Sequence, residues 1–268
     1  MGKTMSVRQR GREHRVWAVP VPACLQNIHI VLVEPQTPGN IGATARAMKT
    51  MGLTRLVLVN PVPFREVPEA RWLACHSEEV LDGAQVVATL EEALAEVHFV
   101  VGTTHRKRGR RMPTPVNARE AATQIVRQAQ EHTVALVFGR ETTGLHTEEL
   151  LQCHLCASIP AAARSPSLNL SHAVMVFAYE IFLASLTAPP GPHLDLAEVA
   201  EMEHLYAHFR RMLERLEFDP VRGGLEGFLA SLRRVFGRTL LERQDVATLH
   251  DLCSAVERYL DRLAGSGK

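Results

Sequence analysis

The feature that most constrains the fold is a series of short, continuous apolar runs separated by helix-length segments. The clearest runs are IHIVLV at 28–33, LVLV at 56–59 and VALVF at 134–138, and weaker ones lie at 85–88, 98–101 and 155–159. Strands that are covered on both faces lack the polar alternation of a half-exposed sheet, and such strands are typical of parallel sheets. The pattern therefore predicts an α/β fold with a mostly parallel sheet and helices on both faces.

The helix predicted after the first run carries cations on its outer side. It is expected over 41–51, with Asn40 as its N-cap and Gly52 as its C-terminal stop. Its apolar residues share one side, so Arg46 and Lys49 face away from the core. Further helices are predicted at 69–81, 91–96, 117–131 and 147–151.

Three polar loops follow predicted strands, and the first of them is strongly basic. Gly102-Thr103-Thr104 ends a strand and leads into a run of cations, namely Arg106, Lys107, Arg108, Arg110 and Arg111. Mutual repulsion disfavours a regular helix or strand there. The run is either a solvated loop or a loop that contacts phosphate groups. The second interpretation is favoured, because open α/β sheets bind ligands at the carboxyl ends of their strands.

The second loop is bracketed by glycines. It runs from Gly139 to Leu145, directly after the apolar run at 134–138, and it contains the carboxylate of Glu141. Glycines at both ends allow the backbone to approach a flat ligand closely. On its own, the stretch is equally consistent with an ordinary turn and with a ligand-binding loop.

The third loop joins a proline-constrained polar segment to an apolar helix. Ser165-Pro166 favours extended backbone, so Ser167 is predicted to cap a helix that begins near Leu168. Ser167, Asn169 and Ser171 then present hydroxyl and amide groups at a helix start. Helix capping is the ordinary use of such residues, and a polar binding surface is the alternative.

From Ala173 to Leu186, the helix predicted to begin near Leu168 has almost no polar side. Glu180 is its one charged residue, so the helix requires cover on nearly every side. It is shorter than the stretch of about 20 apolar residues that spans a membrane. We therefore expect burial against the core and against a second subunit, with no membrane partner.

Charge and cysteine content limit the class of protein further. Lys and Arg total 30 against 29 Asp and Glu, so any contact with nucleic acid must depend on local clusters of charge. Five cysteines, an odd number in a long chain, indicate free thiols in a reducing, cytoplasmic location. The pair Cys153 and Cys156 has C-x-x-C spacing but no second pair nearby, so no metal site is expected.

The two ends of the chain differ in character from its middle. Residues 1–24 form a basic arm without the apolar core of a secretory signal, and 25–188 hold the α/β pattern. A proline-rich linker at 189–194 leads to 195–268, where the spacing of apolar residues predicts three amphipathic helices. Their arginines form either an RNA-facing surface or a solvated face, and these are Arg233, Arg234, Arg238 and Arg243.

Three segments that each follow a predicted strand form an ordered set: the start of the helix after the first strand, and then the second and third loops described above. They contain Asn40-Ile41-Gly42 with Arg46, then Phe138-Gly139-Arg140-Glu141 with Gly144-Leu145, and then Ile159-Pro160 with Ser167-Leu168-Asn169-Leu170-Ser171. Together they resemble the three motifs of the SPOUT-class RNA 2′-O-methyltransferases of the TrmH-like group, over roughly 27–186. The basic run and the helical tail are similar to the TrmJ-type enzymes, which methylate cytidine or uridine at position 32 of the tRNA anticodon loop.

The resemblance implies a trefoil knot at the carboxyl side of the domain, S-adenosylmethionine bound in that knot, and a homodimer. It implies active-site roles for Asn40, Arg46, Glu141, Ser167 and Asn169. It places the cofactor against Thr103, Gly139, Glu141, Ile159, Leu168 and Ser171. RNA is expected to contact Lys49 and the basic run of Arg106, Lys107, Arg108, Arg110 and Arg111.

The expected activity is S-adenosylmethionine-dependent methylation of a ribose 2′-hydroxyl, with tRNA as the preferred substrate. The guanidinium of Arg46 stays protonated near neutral pH, so we expect it to bind phosphate and position the ribose rather than act as a base. Glu141 is expected to hold Asn40 or Arg46 in place. The alternatives are a ribosomal RNA target and a catalytically silent RNA-binding factor on the same scaffold. The reaction requires no metal.

Overall fold

The computed structural model describes residues 19–105, 114–162, 167–187, 194–220 and 223–265. The predicted basic run from Arg106 to Arg111, most of the N-terminal arm and most of the proline-rich linker lie outside these ranges. In the described part of the chain, one sheet carries the α/β domain and a group of three helices follows it.

The sheet has seven strands, and all of its strand pairs are parallel. The strands are β1 (Ile28–Val33), β2 (Arg55–Val59), β3 (Gln85–Val87), β4 (Phe99–Thr103), β5 (Val116–Asn117), β6 (Val134–Phe138) and β7 (Leu155–Ser158). Their order is β3-β2-β1-β6-β4-β7-β5. The predicted parallel sheet is therefore confirmed, and the short edge strand β5 is an element that the sequence pattern did not indicate.

Both faces of the sheet are buried, as the continuous apolar runs predict. Along β1, Ile28, Ile30 and Leu32 belong to one apolar cluster, whereas Val31 and Val33 belong to another on the opposite face. All five of these side chains are at most 2% exposed. Parallel sheets occur almost only with both faces covered, because their crossover helices lie on them.

The α/β domain contains seven α-helices within its described residues, and a short 3-10 helix at Ala23–Asn27 precedes β1. The α-helices are α1 (Pro38–Thr50), α2 (Pro68–Ala74), α3 (Glu78–Asp82), α4 (Leu90–Leu94), α5 (Ala118–Ala129), α6 (Thr147–Leu151) and α7 (Leu170–Ser185). The single helix predicted over 69–81 is wrong. Two helices occur instead, because the backbone turns to positive φ at Cys75 and His76, and a helix cannot continue through that region.

Helix α1 begins earlier than predicted. Pro38 is its first residue, where the missing N–H costs no hydrogen bond, and Asn40 lies inside the first turn. The prediction of Asn40 as N-cap is therefore wrong, because Thr37 occupies that position. At Gly42 a β-carbon would lie 1.9 Å from the carbonyl oxygen of Ala70 in α2, so the two helices pack at backbone distance.

Helix α7 begins later than predicted, at Leu170. Asn169 is its N-cap and its side-chain oxygen accepts hydrogen bonds from the backbone N–H groups of Ser171 and His172. The expected cap at Ser167 is wrong because the helix starts three residues beyond it. The helix packs against α1 and α5. Tyr179, Leu183 and Leu186 remain exposed, so a single chain does not cover this helix on every side.

The last three helices are the ones that the apolar spacing predicts. They are α8 (Val199–Arg215), α9 (Gly224–Thr239) and α10 (Arg243–Gly265), and they enclose an apolar core of their own. The start of α8 is tied to the α/β domain, since the backbone N–H of Val199 donates to the carbonyl of Val97 at 2.9 Å. Helix α9 also contacts α6, so the helical extension packs directly on the α/β domain.

Several of the arginines in this extension are used internally. Arg233 stacks on the ring of Tyr206 at 4.2 Å and forms an ion pair with Glu203. Arg243 binds the carboxylates of Asp195, Glu198 and Glu201. The interpretation of all four arginines as one RNA-facing surface is therefore weakened, because two of them bind carboxylates of the protein.

Neither a membrane span nor a metal cluster is found where the chain is described. No helix there combines the length and the apolar character needed to cross a membrane. No group of three histidine, cysteine or acidic side chains within the same ranges is arranged to hold a metal ion. All five cysteines are free thiols, and Cys153 and Cys156 are buried.

Candidate active site

The carboxyl ends of the neighbouring strands β4, β6 and β7 open onto one cavity of about 530 Å3. Its walls come from all three loops that follow these strands and from the first turn of α7. The lining includes Thr103, Thr104, His105, Phe138, Gly139, Glu141, Leu145, Ile159, Ser167, Leu168 and Phe177. A volume of this size is within the range of small-molecule sites, which run from about 300 to 1,000 Å3.

Glu141 joins the loop after β6 to the loop after β1. One oxygen of its carboxylate accepts from the backbone N–H of Gln36 at 2.8 Å. The other accepts from the backbone N–H of Thr37 at 3.1 Å and from the side-chain amide of Asn40 at 3.0 Å. The carboxylate therefore binds donors at the N-terminus of α1, where the helix dipole also favours a negative charge.

Asn40 extends this network to the third loop. Its side-chain oxygen accepts a hydrogen bond from the side-chain amide of Asn169 at 2.8 Å. Asn169 also accepts from the hydroxyl of Ser171 at 2.8 Å while it caps α7. Glu141, Asn40 and Asn169 thus form one continuous chain of side chains from three distant parts of the sequence.

An ion-pair cluster around the largely buried guanidinium of Arg140 supports the loop after β6. The guanidinium of Arg140 binds the carboxylate of Glu34 at 2.8 Å and that of Glu149 at 3.0 Å, and its side chain is only 12% exposed. The hydrogen bonds that Arg140 donates to Glu34 raise the pKa of Arg140 above its usual range, and they lower the pKa of Glu34. We call Glu34, Arg140 and Glu149 the arginine clamp.

Gly139 is the residue at which this loop doubles back on itself. A β-carbon there would lie 2.1 Å from the backbone of Gly144 and Leu145. Such a contact is impossible without moving the backbone, so the close return of the loop requires glycine. By contrast, a β-carbon at Gly144 would meet no atom within 4 Å, although its φ of +69° favours glycine for a different reason.

Five of the six residues expected to hold S-adenosylmethionine lie at the cavity. Thr103, Gly139, Glu141, Ile159 and Leu168 line the cavity. Ser171, the remaining expected contact, is not among the described residues that line it. Phe138 and Phe177 pack edge to face beside the cavity, with ring centroids 5.7 Å apart. Apolar rings, a glycine-bounded backbone and a few polar groups suit a ligand with an adenine ring and a charged tail, so the residues present fit this cofactor.

The residues expected to act on RNA are more dispersed. Ser167 lines the cavity. Arg46 lies on α1, six residues after Asn40, and is exposed. Its side chain makes no hydrogen bond or ion pair with the rest of the described chain. The ammonium of Lys49 pairs with Glu79 and donates to the carbonyl of His76, so RNA would have to compete with both for this cation.

Several residues of the site could not be found from sequence patterns. The arginine clamp joins residues 106 positions apart, and the loop contacts of Glu141 span 101 to 105 positions. Nothing local distinguishes Glu34 or Gln36 from ordinary loop residues. Arg140 lies within the second of the three motifs, but the motif does not indicate what its side chain binds.

Comparison with known proteins agrees with this geometry. Residues 27–179 match the model of the SpoU rRNA Methylase family, and residues 200–265 match that of the tRNA methyltransferase TrmJ, C-terminal domain. The chain is 40% identical over 243 residues to the tRNA (cytidine/uridine-2′-O-)-methyltransferase TrmJ of Yersinia enterocolitica, covering 87% of this chain and 93% of the relative.

Two further relatives extend the comparison. The TrmJ of Salmonella typhimurium is 42% identical over 242 residues, covering 87% of this chain and 98% of the relative. The crystal structure of TrmJ from Z. mobilis ZM4 superposes with a TM-score of 0.73 at 31% identity, covering 85% of this chain and 98% of that one. The chain therefore belongs to the SpoU methylase family and, within it, to the TrmJ group.

Proposed function

We propose that this protein transfers a methyl group from S-adenosylmethionine to the ribose 2′-hydroxyl of a cytidine or uridine in tRNA, at position 32 of the anticodon loop. The observation that carries the proposal is that the motif loops after β6 and β7 line one cavity, and that the hydrogen bonds of Glu141, Asn40 and Asn169 join them to the motif at the start of α1. Relatives that align along nearly the whole of their length are named tRNA (cytidine/uridine-2′-O-)-methyltransferases, which supports the tRNA substrate and the methylated group.

The cavity and the network have separate tasks in this proposal. Thr103, Gly139, Ile159 and Leu168 hold the cofactor, which supplies an electrophilic methyl group when it is bound. Asn40 and Asn169 lie beside the cavity and orient the ribose through hydrogen bonds. Because Glu141 occupies the donors of the loop after β1, that loop keeps its shape without the RNA.

Arg46 is assigned a role in positioning. It is an exposed cation on the same helix as Asn40, and it is free to bind a phosphate next to the target ribose. A guanidinium can grip two phosphate oxygens at once and can stabilise the oxyanion that forms as the 2′-hydroxyl loses its proton. The proton itself passes to another acceptor, for which an RNA phosphate is our proposal.

The activity is tested by incubating the purified protein with S-adenosylmethionine and tRNA, and by mapping ribose methylation in the product. Methylation at position 32 is the expected result. Methylation of ribosomal RNA alone would contradict the tRNA target, and cofactor binding without methylation of any RNA would indicate a silent binding factor.

In the same assay, Arg46→Lys should lose about 10- to 100-fold in turnover, because a lysine cannot form the two-pronged contact. Near-normal turnover with unchanged RNA affinity would contradict the assigned role.

A homodimer and a trefoil knot are part of the same proposal. The exposed apolar residues Tyr179, Leu183 and Leu186 of α7 are 49%, 39% and 44% accessible in one chain, which supports cover by a second copy. Light scattering should therefore give twice the mass of the chain at micromolar concentration. A monomer under those conditions would count against the dimer. We place the protein in the cytoplasm, where its free thiols would stay reduced.

A further inference from the structure

One side chain at the edge of the network has a hydrogen-bonding group that nothing described so far uses. Gln36 lies in the exposed loop between β1 and α1, and its side-chain oxygen accepts a hydrogen bond from the hydroxyl of Thr142 at 3.0 Å. The side-chain amide is planar, so fixing its oxygen also fixes its NH2 group. That NH2 group has no partner among the described residues.

The place of Gln36 relative to the proposed reaction follows from Glu141. The backbone N–H of Gln36 binds one oxygen of the Glu141 carboxylate, and the side chain of Asn40 binds the other. Thr142, which fixes the amide of Gln36, lines the cavity. Gln36 is therefore separated by one carboxylate from a residue that we assign to the ribose, and by one hydroxyl from the cofactor cavity.

The chemistry of the two target bases restricts what such a group can read. Cytidine and uridine exchange donor and acceptor character at N3 and C4, so a contact there would separate them. Both carry the carbonyl oxygen O2. It is the hydrogen-bonding atom on the edge of the base that faces the sugar, and it lies next to the 2′-hydroxyl. Purines present the ring acceptor N3 at the equivalent place, so a contact there serves to accept both pyrimidines and not to exclude purines. A fixed N–H donor beside the ribose would accept both pyrimidines.

We propose that the side-chain NH2 of Gln36 donates a hydrogen bond to O2 of the target pyrimidine and so determines that cytidine and uridine are both substrates. The inference rests on the proposed function. Thr142 is the positioning residue in this arrangement, because its hydroxyl turns the amide so that the NH2 group is available to the base.

The test combines a change in the protein with a change in the RNA. Gln36→Met keeps the length of the side chain and removes the donor, and a tRNA with 2-thiocytidine or 2-thiouridine at the target replaces O2 by sulfur, a weak acceptor. We expect either change alone to lower kcat/KM by about 3- to 10-fold, the value of one neutral hydrogen bond. We expect the second change to add almost nothing once the first is present.

Two controls fix the interpretation. Gln85→Met makes the same substitution on the edge strand β3, and it should leave both the rate and the full effect of the 2-thio base unchanged. Thr142→Val keeps the donor but releases the amide, so it should lower the rate without removing the 2-thio effect completely.

The outcomes separate this inference from the activity on which it rests. If the unaltered protein methylates cytidine and uridine but shows no 2-thio effect, or shows an equal effect with and without Gln36, the inference is overturned and the activity stands. If the unaltered protein methylates neither nucleoside, both are overturned.

Discussion

The arginine clamp and the ion pairs of the helical extension both join arginines to carboxylates, but they differ in how far their side chains are exposed to water. The side chains of Arg140 and Glu149 are 12% and 15% exposed beneath the cavity loop, whereas those of Arg215 and Asp261, which join α8 to α10, are 42% and 65% exposed. Charges that are withdrawn from water depend on their partners far more strongly than charges that water still solvates. The number of ion pairs is therefore a poor guide to where this molecule is vulnerable.

The largest effect is expected from Arg140→Met. The substitution leaves the carboxylates of Glu34 and Glu149 close together without their shared cation, and breaking a buried pair in this way costs about 3–5 kcal/mol of unfolding free energy. Because Glu34 is partly exposed, the lower end of that range is expected. Chemical denaturation of the purified variant measures the change, and a loss below about 1 kcal/mol would show that the clamp is no more important than a surface pair.

A second prediction concerns the loop that the clamp supports. Gly139→Ala forces a β-carbon against the backbone of Gly144 and Leu145, and overpacking of this kind typically costs about 1–3 kcal/mol. If the loop opens to relieve the contact, affinity for S-adenosylmethionine should fall by about 10- to 100-fold in calorimetry. Gly144→Ala is the matched control, since its β-carbon meets nothing and only its backbone conformation is strained. An equal loss of affinity in both variants would contradict the importance of the close contact.

A third prediction concerns His154, at the boundary between the α/β domain and the helical extension. His154 accepts a hydrogen bond from the backbone N–H of Val100 through Nδ1, and burial lowers the pKa of the ring to about 4. Because the folded pKa lies below the unfolded value of about 6.5, this group contributes its full stability above pH 6.5 and loses it as the pH falls toward 4. The expected loss is about 2 kcal/mol at pH 5.

The measurement for His154 is a comparison of two pH profiles. His154→Gln retains an oxygen that can accept from Val100 but cannot titrate in this range. Its unfolding free energy should therefore fall less steeply between pH 7 and pH 5 than that of the unaltered protein. Parallel profiles would place the pH dependence in other groups.

The smallest effect is expected from Arg215→Met in the helical extension. The pair with Asp261 is exposed on both sides, so its removal should change the unfolding free energy by less than about 1 kcal/mol and should decrease further in importance at high salt. A loss as large as that of Arg140→Met would remove the distinction between the two settings.

The sequence was sufficient to predict the architecture because the architecture depends on local patterns. The apolar run at 134–138 coincides with strand β6 at its first and last residues. The apolar spacing after the linker predicts three helices, which are present as α8, α9 and α10. These patterns express burial on one or both sides of an element, and they need no knowledge of what covers it.

The two errors in helix caps have a common cause in long-range contacts. Asn40 was expected to cap α1, but its side chain is used by Glu141 and Asn169 at separations of 101 and 129 residues. The cap of α7 was assigned to Ser167 because serine after Ser165-Pro166 is a good local candidate, and the residue that caps it is Asn169. Which of several suitable polar residues caps a helix is decided by the remaining contacts that each one makes.

The contact between Gly42 and Ala70 has a consequence for how this protein would meet a large ligand. Two helices that touch through their backbones, at a distance where a single β-carbon would not fit, can neither roll nor slide past each other without separating. In the proposed complex, the outward face of α1, with the guanidinium of Arg46 on it, would therefore need no reorientation to meet the RNA. Little conformational entropy remains to be lost on that side of the complex, so docking there should resemble the fit of two rigid bodies.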